Sequence, residues 1–279
     1  MYPFFYIYFF GREIALPMYG MMCLLAACAA VGLAVSRVKK YNVTSYDTVY
    51  MSLFAIIGAF IGAYILSVII NTIYAIQNWG RFTDAGANTW EIIVAVFSNS
   101  GFVFFGGLIG GTIGGIIYMK MYKLNIPVFV DLVVPCIPLA HAIGRVGCFL
   151  GGCCYGIETR YGVTFNHSPA LPHELHDVKL LPVQLIETDV NLLLVLILLL
   201  YERYRENKNN NKYKTGKSLF LYLIMYSVSR FTLEFFRGDK IRGIFFGIST
   251  SQIISVILFC VSVFFMAFYG KIRGNRTLS

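Results

Sequence analysis

The chain has 279 residues, of which 57% are hydrophobic and 13% charged, with a formal net charge of +9. A soluble domain carries nearly twice that charged fraction, so a water-soluble enzyme is excluded and a polytopic helical membrane protein is expected. The positive excess is spread over loops rather than gathered on one basic face, so no nucleic-acid partner is expected.

The N-terminal run MYPFFYIYFFGRE has neither a basic start nor a small-residue cleavage site, so it does not read as a signal peptide. Its density of Tyr and Phe suits the membrane interface. Seven apolar spans follow, at about 16–36, 50–73, 92–118, 128–147, 190–202, 217–236 and 248–269. The fifth is short of the roughly 20 residues a crossing needs, and a start in the preceding 180s would complete it. The segments 37–49, 119–127, 203–216 and 270–279 hold 3, 2, 5 and 3 Lys and Arg, and Lys217 brings these to 14 of 23. The positive-inside bias therefore places the N-terminus outside and the C-terminus in the cytoplasm. The expected fold is an all-α membrane protein of seven transmembrane helices, forming one domain over 1–279 with a small extracytoplasmic head at about 148–189. The polar stretch 203–216 reads as a mobile cytoplasmic loop.

The third span contains FFGGLIGGTIGGI, which puts Gly106, Gly110 and Gly114 on one small-xxx-small register and Gly107, Gly111 and Gly115 on another. Glycines so spaced let two helices approach closely in lipid, and could also leave room for a lipid headgroup. Cys23, Cys28, Cys136 and Cys260 lie in apolar segments and read as small core residues. Cys148, Cys153 and Cys154 cluster at the outer end of the fourth span. Structural use, a disulfide, metal binding and a nucleophilic thiol all remain open for them. Their spacing matches no strong zinc signature, so no metal is expected. His173 and His176 lack the i, i+4 spacing of a helical zinc motif and read as solvated loop residues. His141 stands four residues before Arg145, on the same helix face, and is a possible base.

Tyr226, Arg230, Glu234 and Arg237 lie in the sixth apolar segment or at its end. At about 100° per helical residue they fall within a sector of roughly 80°. A charge at membrane depth costs roughly 2.5–3.5 kcal/mol on insertion scales. Two arginines around one glutamate leave a positive cluster suited to a phosphate. A buried Arg230–Glu234 pair that only locks helices is the plainer alternative.

The segment DLVVPCIPLAHAIGRVGCFLGGCCYG, 131–156, resembles the signature of bacterial prolipoprotein diacylglyceryl transferases through Asp131, Pro135, Gly144, Arg145, Gly147, Phe149 and Gly156. The Tyr226-x3-Arg230-x3-Glu234-x2-Arg237 stripe resembles a second motif of that family. Met-Tyr-Gly at 18–20 resembles its first-helix motif, Pro182-x-Gln184-Leu185-x-Glu187 its element before the fifth span, and 105–111 its His-Gly-Gly loop. Four positions depart: Phe105 replaces a histidine, Cys148 an asparagine, Cys153 a glutamate and Ile186 a tyrosine.

The resemblance implies transfer of diacylglyceryl from phosphatidylglycerol to the cysteine thiol of a prolipoprotein signal peptide, releasing glycerol 1-phosphate, in the bacterial cytoplasmic membrane. It implies no cofactor. Arg145, Arg230 and Glu234 are then the expected catalytic residues. Tyr19, Gly106, Gly107, Cys148, Glu187, Tyr226 and Arg237 are the expected substrate-binding residues. The departures leave two alternatives, a related transferase with a different acceptor and a non-catalytic phospholipid-binding relative.

Overall fold

A computed structural model describes residues 3–9, 11–86, 88–98, 101, 103–165, 168, 170–208, 216–238, 244–245 and 248–274. The chain opens with an antiparallel hairpin, β1 (Phe4–Phe9) and β2 (Arg12–Pro17), in which Ile7 pairs with Ile14. Gly11 at φ 72° makes the turn, and the aromatic and β-branched residues of β1 favour a strand. The interfacial aromatic segment thus takes strand form. Helices follow in the order α1 (Met18–Ser36), α2 (Val38–Tyr41), α3 (Ser45–Gln77), α4 (Trp79–Asp84), α5 (Thr89–Ser98), α6 (Phe104–Met121), α7 (Ile126–Val133) and α8 (Cys136–Gly151). After β3 (Glu158–Val163) come α9 (Val183–Lys208), α10 (Lys217–Glu234), the short pair β4 (Ile244–Phe245) and β5 (Ile248–Ser249), and α11 (Thr250–Gly274). Among the described residues, five helical stretches are long and apolar enough to cross a membrane: Met18–Ser36, Ser45–Gln77, Ile126–Gly151, Val183–Glu206 and Thr250–Phe268.

Several boundaries differ from the sequence expectation. The third span divides into α5 and α6. The fourth bends between α7 and α8 at Val134–Pro135, because proline lacks an amide hydrogen and disfavours helix in the residue before it. The fifth does begin in the 180s, at Val183, and it continues through Lys208, so the first six residues of the expected loop are helical. Residues 209–215 of that loop lie outside the described residues.

The chain falls into two units, Val38–Phe129 and the remainder. In the first, α3 packs on α6 along their glycines. A Cβ on Gly62 would stand 2.8 Å from Gly110 Cα, and one on Gly110 would stand 2.9 Å from Gly62 Cα. Only hydrogen side chains allow that backbone approach. Thr44 caps α3 by accepting from Asp47 N at 3.0 Å, and Tyr118 on α6 donates to Asp47 Oδ1 at 3.2 Å.

In the second unit, α1 packs on α8, α8 on α9, and α10 on both α9 and α11. Val134, Leu194, Leu198 and Tyr222 form a buried core between them. At one end Arg37 pairs with Glu202 and donates to Leu132 O, while Gly216 N donates to Asp131 Oδ2 at 2.7 Å. Arg37 was expected as a loop cation, but it is buried. At the other end the head has its own core of Tyr155, Phe165, Leu171 and Leu180. Around it Gly156 N donates to Leu181 O and Leu181 N to Ile157 O, both at 2.9 Å.

Candidate active site

Three adjacent helices of the second unit bring charge to one place. On α8, His141 and Arg145 are one turn apart, and Arg145 Nε donates to His141 Nε2 at 3.2 Å. Glu187 projects from the second turn of α9 with 2% of its surface exposed. One carboxylate oxygen pairs with Arg145, and Oε1 lies 3.2 Å from Arg230 Nη1 of α10. Arg230 Nη2 lies 2.9 Å from Glu234 Oε2, one turn along α10, and donates to Ser251 Oγ at 3.1 Å. The result is a continuous chain of charges, Arg145–Glu187–Arg230–Glu234, threaded between helices.

A lone buried guanidinium or carboxylate would cost several kcal/mol in desolvation, and alternation of sign offsets this. Glu187 touches both arginines and so fixes the distance between them. Arg37 and Glu202 show what a closed pair does elsewhere in the same unit; here Arg237 adds a third guanidinium. Arg237 acts electrostatically on both Arg145 and Arg230.

The structure therefore revises the charge count read from the stripe. That reading set two arginines against one glutamate, but Glu187 from α9 enters the same cluster. Three guanidiniums now meet two carboxylates. It also revises the stripe's geometry, because α10 ends at Glu234 and Arg237 lies beyond it, bridged to Gly156 in antiparallel fashion. Ile157 N donates to Phe236 O at 2.9 Å and Gly238 N to Tyr155 O at 3.0 Å, which ties this segment to the head.

Other expected residues fall nearby. Tyr226 is on α10 beside His141, with ring centroids 5.9 Å apart. His141, the possible base, accepts on its Nε2 from Arg145 Nε, and that same arginine nitrogen pairs with Glu187. Tyr19, at the start of α1, crosses α8 at Gly147, where an added Cβ would stand 3.4 Å from the tyrosine ring and 2.9 Å from Met22 Cβ. Cys148 is buried near the end of α8.

Gly106 and Gly107 belong to the other unit, where they lie against α3. A Cβ on Gly106 would meet Leu66 Cβ at 2.7 Å, and one on Gly107 would meet Ala63 Cβ at 3.7 Å. Of the two uses read for these glycines, helix packing is the one seen. Ser251 escaped the sequence reading, because a lone serine near the start of an apolar helix carries no signal of its own. Only its position opposite Arg230 gives it one.

Helices of membrane length around a guanidinium–carboxylate network define an integral membrane protein with a site suited to an anionic group. A family model described as prolipoprotein diacylglyceryl transferase matches residues 7–268. A phosphatidylglycerol–prolipoprotein diacylglyceryl transferase of Clostridium tetani is 36% identical over 248 residues, which is 88% of this chain and 90% of that protein. One from Dehalococcoides mccartyi is 30% identical over 246 residues, covering 88% and 86%. Phosphatidylglycerol–prolipoprotein diacylglyceryl transferase 2 of Clostridium perfringens is 33% identical over 188 residues, covering 67% and 68%. The chain belongs to the prolipoprotein diacylglyceryl transferase family.

Proposed function

We propose that this transferase moves the diacylglyceryl group of phosphatidylglycerol to the cysteine thiol of a prolipoprotein signal peptide, with Arg145 and Arg230 gripping the donor phosphate. The reaction forms a thioether and releases glycerol 1-phosphate. The observation that carries the reading is the placement of Glu187 between the two arginines. A carboxylate that holds two guanidiniums apart leaves their remaining N–H groups to fork onto phosphate oxygens. Arg145, Arg230 and Arg237 against Glu187 and Glu234 sum to one positive charge, the complement of a phosphodiester monoanion. As the carbon–oxygen bond breaks, charge builds on the departing phosphate, and fixed donors stabilise that state more than the ground state.

Glu234 and Ser251 orient Arg230, and His141 orients Arg145. Tyr19 and Tyr226 present hydroxyls toward the glycerol, and Cys148 lines the same end of α8. Gly106 and Gly107 serve the substrate only through the packing of α6.

The proposed placement is a multi-pass protein of the bacterial cytoplasmic membrane, with seven spans, the N-terminus outside and the C-terminus inside. The helices α6 and α10 join the five longer stretches, since 18 residues rise about 27 Å against a hydrocarbon core of about 30 Å. Alternation supports this. The C-terminal end of α8 meets the start of α1, and the end of α10 pairs with the head, so these neighbours run in the directions the loop charges require. The site then opens at the outer leaflet, where the signal peptide's cysteine arrives.

The test is transfer of labelled diacylglycerol from phosphatidylglycerol to a lipobox peptide by purified protein. Wild type labels the peptide on its cysteine, and Arg145→Ala and Arg230→Ala do not. Label that appears on another acceptor and never on the cysteine would favour the altered-acceptor reading, to which Phe105 points. Phospholipid binding with no turnover on any acceptor would favour the non-catalytic one.

A further inference from the structure

Cys148, Cys153 and Cys154 take no part in the ion network, yet the fold gathers them. Their three Sγ atoms lie within 4.8 Å of one another, and none of the seven cysteines forms a disulfide. Three devices achieve this. Gly152, at φ 70°, ends α8 in the left-handed conformation and turns the chain back. Cys153 N donates to Cys148 O at 3.1 Å, and buried Gln184 of α9 donates from Nε2 to Cys153 O at 2.7 Å. Cys154 then adopts φ 60°, a left-handed conformation that is unfavourable for a residue with a β-carbon. Glycine would sit there without that cost, but it would bring no sulfur to the other two.

A disulfide joins two sulfurs and strands the third, whereas a metal engages all three. Around tetrahedral zinc, with Zn–S about 2.3 Å, sulfurs sit about 3.8 Å apart, so closure from the observed spacing takes a shift of about an ångström or less. Three thiolates with Zn²⁺ carry one net negative charge. The Arg145 guanidinium acts on the Cys148 and Cys154 sulfurs, and Arg237 on Cys154, which lowers the cost of holding that charge there.

We propose that Cys148, Cys153 and Cys154 form a three-thiolate zinc site whose fourth position takes the sulfur of the acceptor cysteine. The inference rests on the transferase reading above and gives a destination for the acceptor proton. Coordination breaks the acceptor S–H bond and releases its proton to solvent. The sulfur then attacks the glyceryl carbon bonded to the phosphate oxygen. A C–S bond forms, the C–O bond breaks, and its electron pair leaves on glycerol 1-phosphate, held by Arg145 and Arg230. No oxidation state changes.

The test uses the full chain in detergent with its thiols reduced and counted. Zinc is expected to be retained at one per chain, and cobalt substitution to give a sulfur-to-cobalt charge-transfer band that zinc displaces. That band is lost in Cys153→Ser and Cys154→Ser. Cys154→Asp suits the left-handed backbone and supplies an oxygen ligand, so it keeps the metal with a weaker band. Gln184→Leu, which frees the Cys153 turn, weakens affinity by roughly 10–100-fold, the usual cost of losing an outer-shell support. A lipobox peptide should intensify the wild-type band by adding a fourth sulfur, and the same peptide with serine should not.

A cysteine pair oxidised in the purified protein and refractory to metal after reduction overturns the site. So does a band absent from well-folded wild type. A band indifferent to the peptide, or metal-free serine variants that transfer at the wild-type rate, overturns the acceptor role. These outcomes differ from failure of the transferase reading, in which wild type labels no prolipoprotein peptide whatever its metal content.

Discussion

The glycine seam between α3 and α6 and the charge chain across α8, α9 and α10 solve the same problem in opposite ways. Both bring helices together in a medium where apolar burial gives no drive for association. The seam does so by removing side chains until backbones touch, and an atom added at Gly58, Gly62, Gly106, Gly110 or Gly114 meets backbone. The charge chain does so by burying groups that must find partners, at a desolvation cost that only alternation offsets. The first arrangement has room for nothing else. The second holds directional donors in a dry setting, and those can act on a ligand. Chemistry is therefore expected at the charged contact and rigidity at the glycine one.

Substitutions can break or sharpen that contrast. The largest effect is expected for Glu187→Gln, which unpairs Arg145 and leaves Arg230 with Glu234 alone. Breaking a buried pair costs about 3–5 kcal/mol, so thermal stability in detergent and transfer should fall together. Next come Arg145→Ala and Arg230→Ala. Arg145→Ala leaves Glu187 paired with Arg230, so the fold holds while transfer falls by about 10²–10³-fold or more, the scale of a lost transition-state donor. Arg230→Ala also takes the guanidinium from Glu234, so that variant loses transfer and some stability. Normal stability with lost transfer would separate chemistry from packing at this contact.

Gly110→Leu tests the other region. Overpacking costs about 1–3 kcal/mol, and more against backbone, so melting temperature and yield should drop, with phosphatidylglycerol KM unchanged in whatever protein folds. A changed KM at full stability would return this glycine to the substrate. Ser251→Ala is the mildest. It removes a single orienting hydrogen bond of about 1 kcal/mol, so transfer should fall about tenfold or less. Indifference would leave Ser251 no part in orienting Arg230.

The two regions also differ in how far they could be read in advance. Glycine spacing is local, and the registers of Gly106, Gly110 and Gly114 announce a close helix contact before any partner is known. The stripe Tyr226, Arg230, Glu234 is local too, and it held as far as α10 does. What failed was non-local. Arg37 follows a span and reads as a loop cation, but Glu202, 165 residues away, draws it inward. Arg230 and Glu187 are 43 residues apart, so the stripe alone miscounted the charge. The closeness of Cys148, Cys153 and Cys154 was equally hidden, because a left-handed turn and Gln184 from α9 do the gathering. Strands went unseen at the N-terminus, where aromatic richness signals an interface without saying which backbone form meets it.

The most direct measurement is binding of phosphatidylglycerol, against a neutral diacylglycerol of the same chains, to wild type and to Arg230→Gln in lipid nanodiscs. If guanidiniums held by Glu187 grip the phosphate, the variant loses its preference for the anionic lipid and binds the neutral one as before. Equal discrimination by both proteins would contradict that and reduce the charge chain to a helix lock.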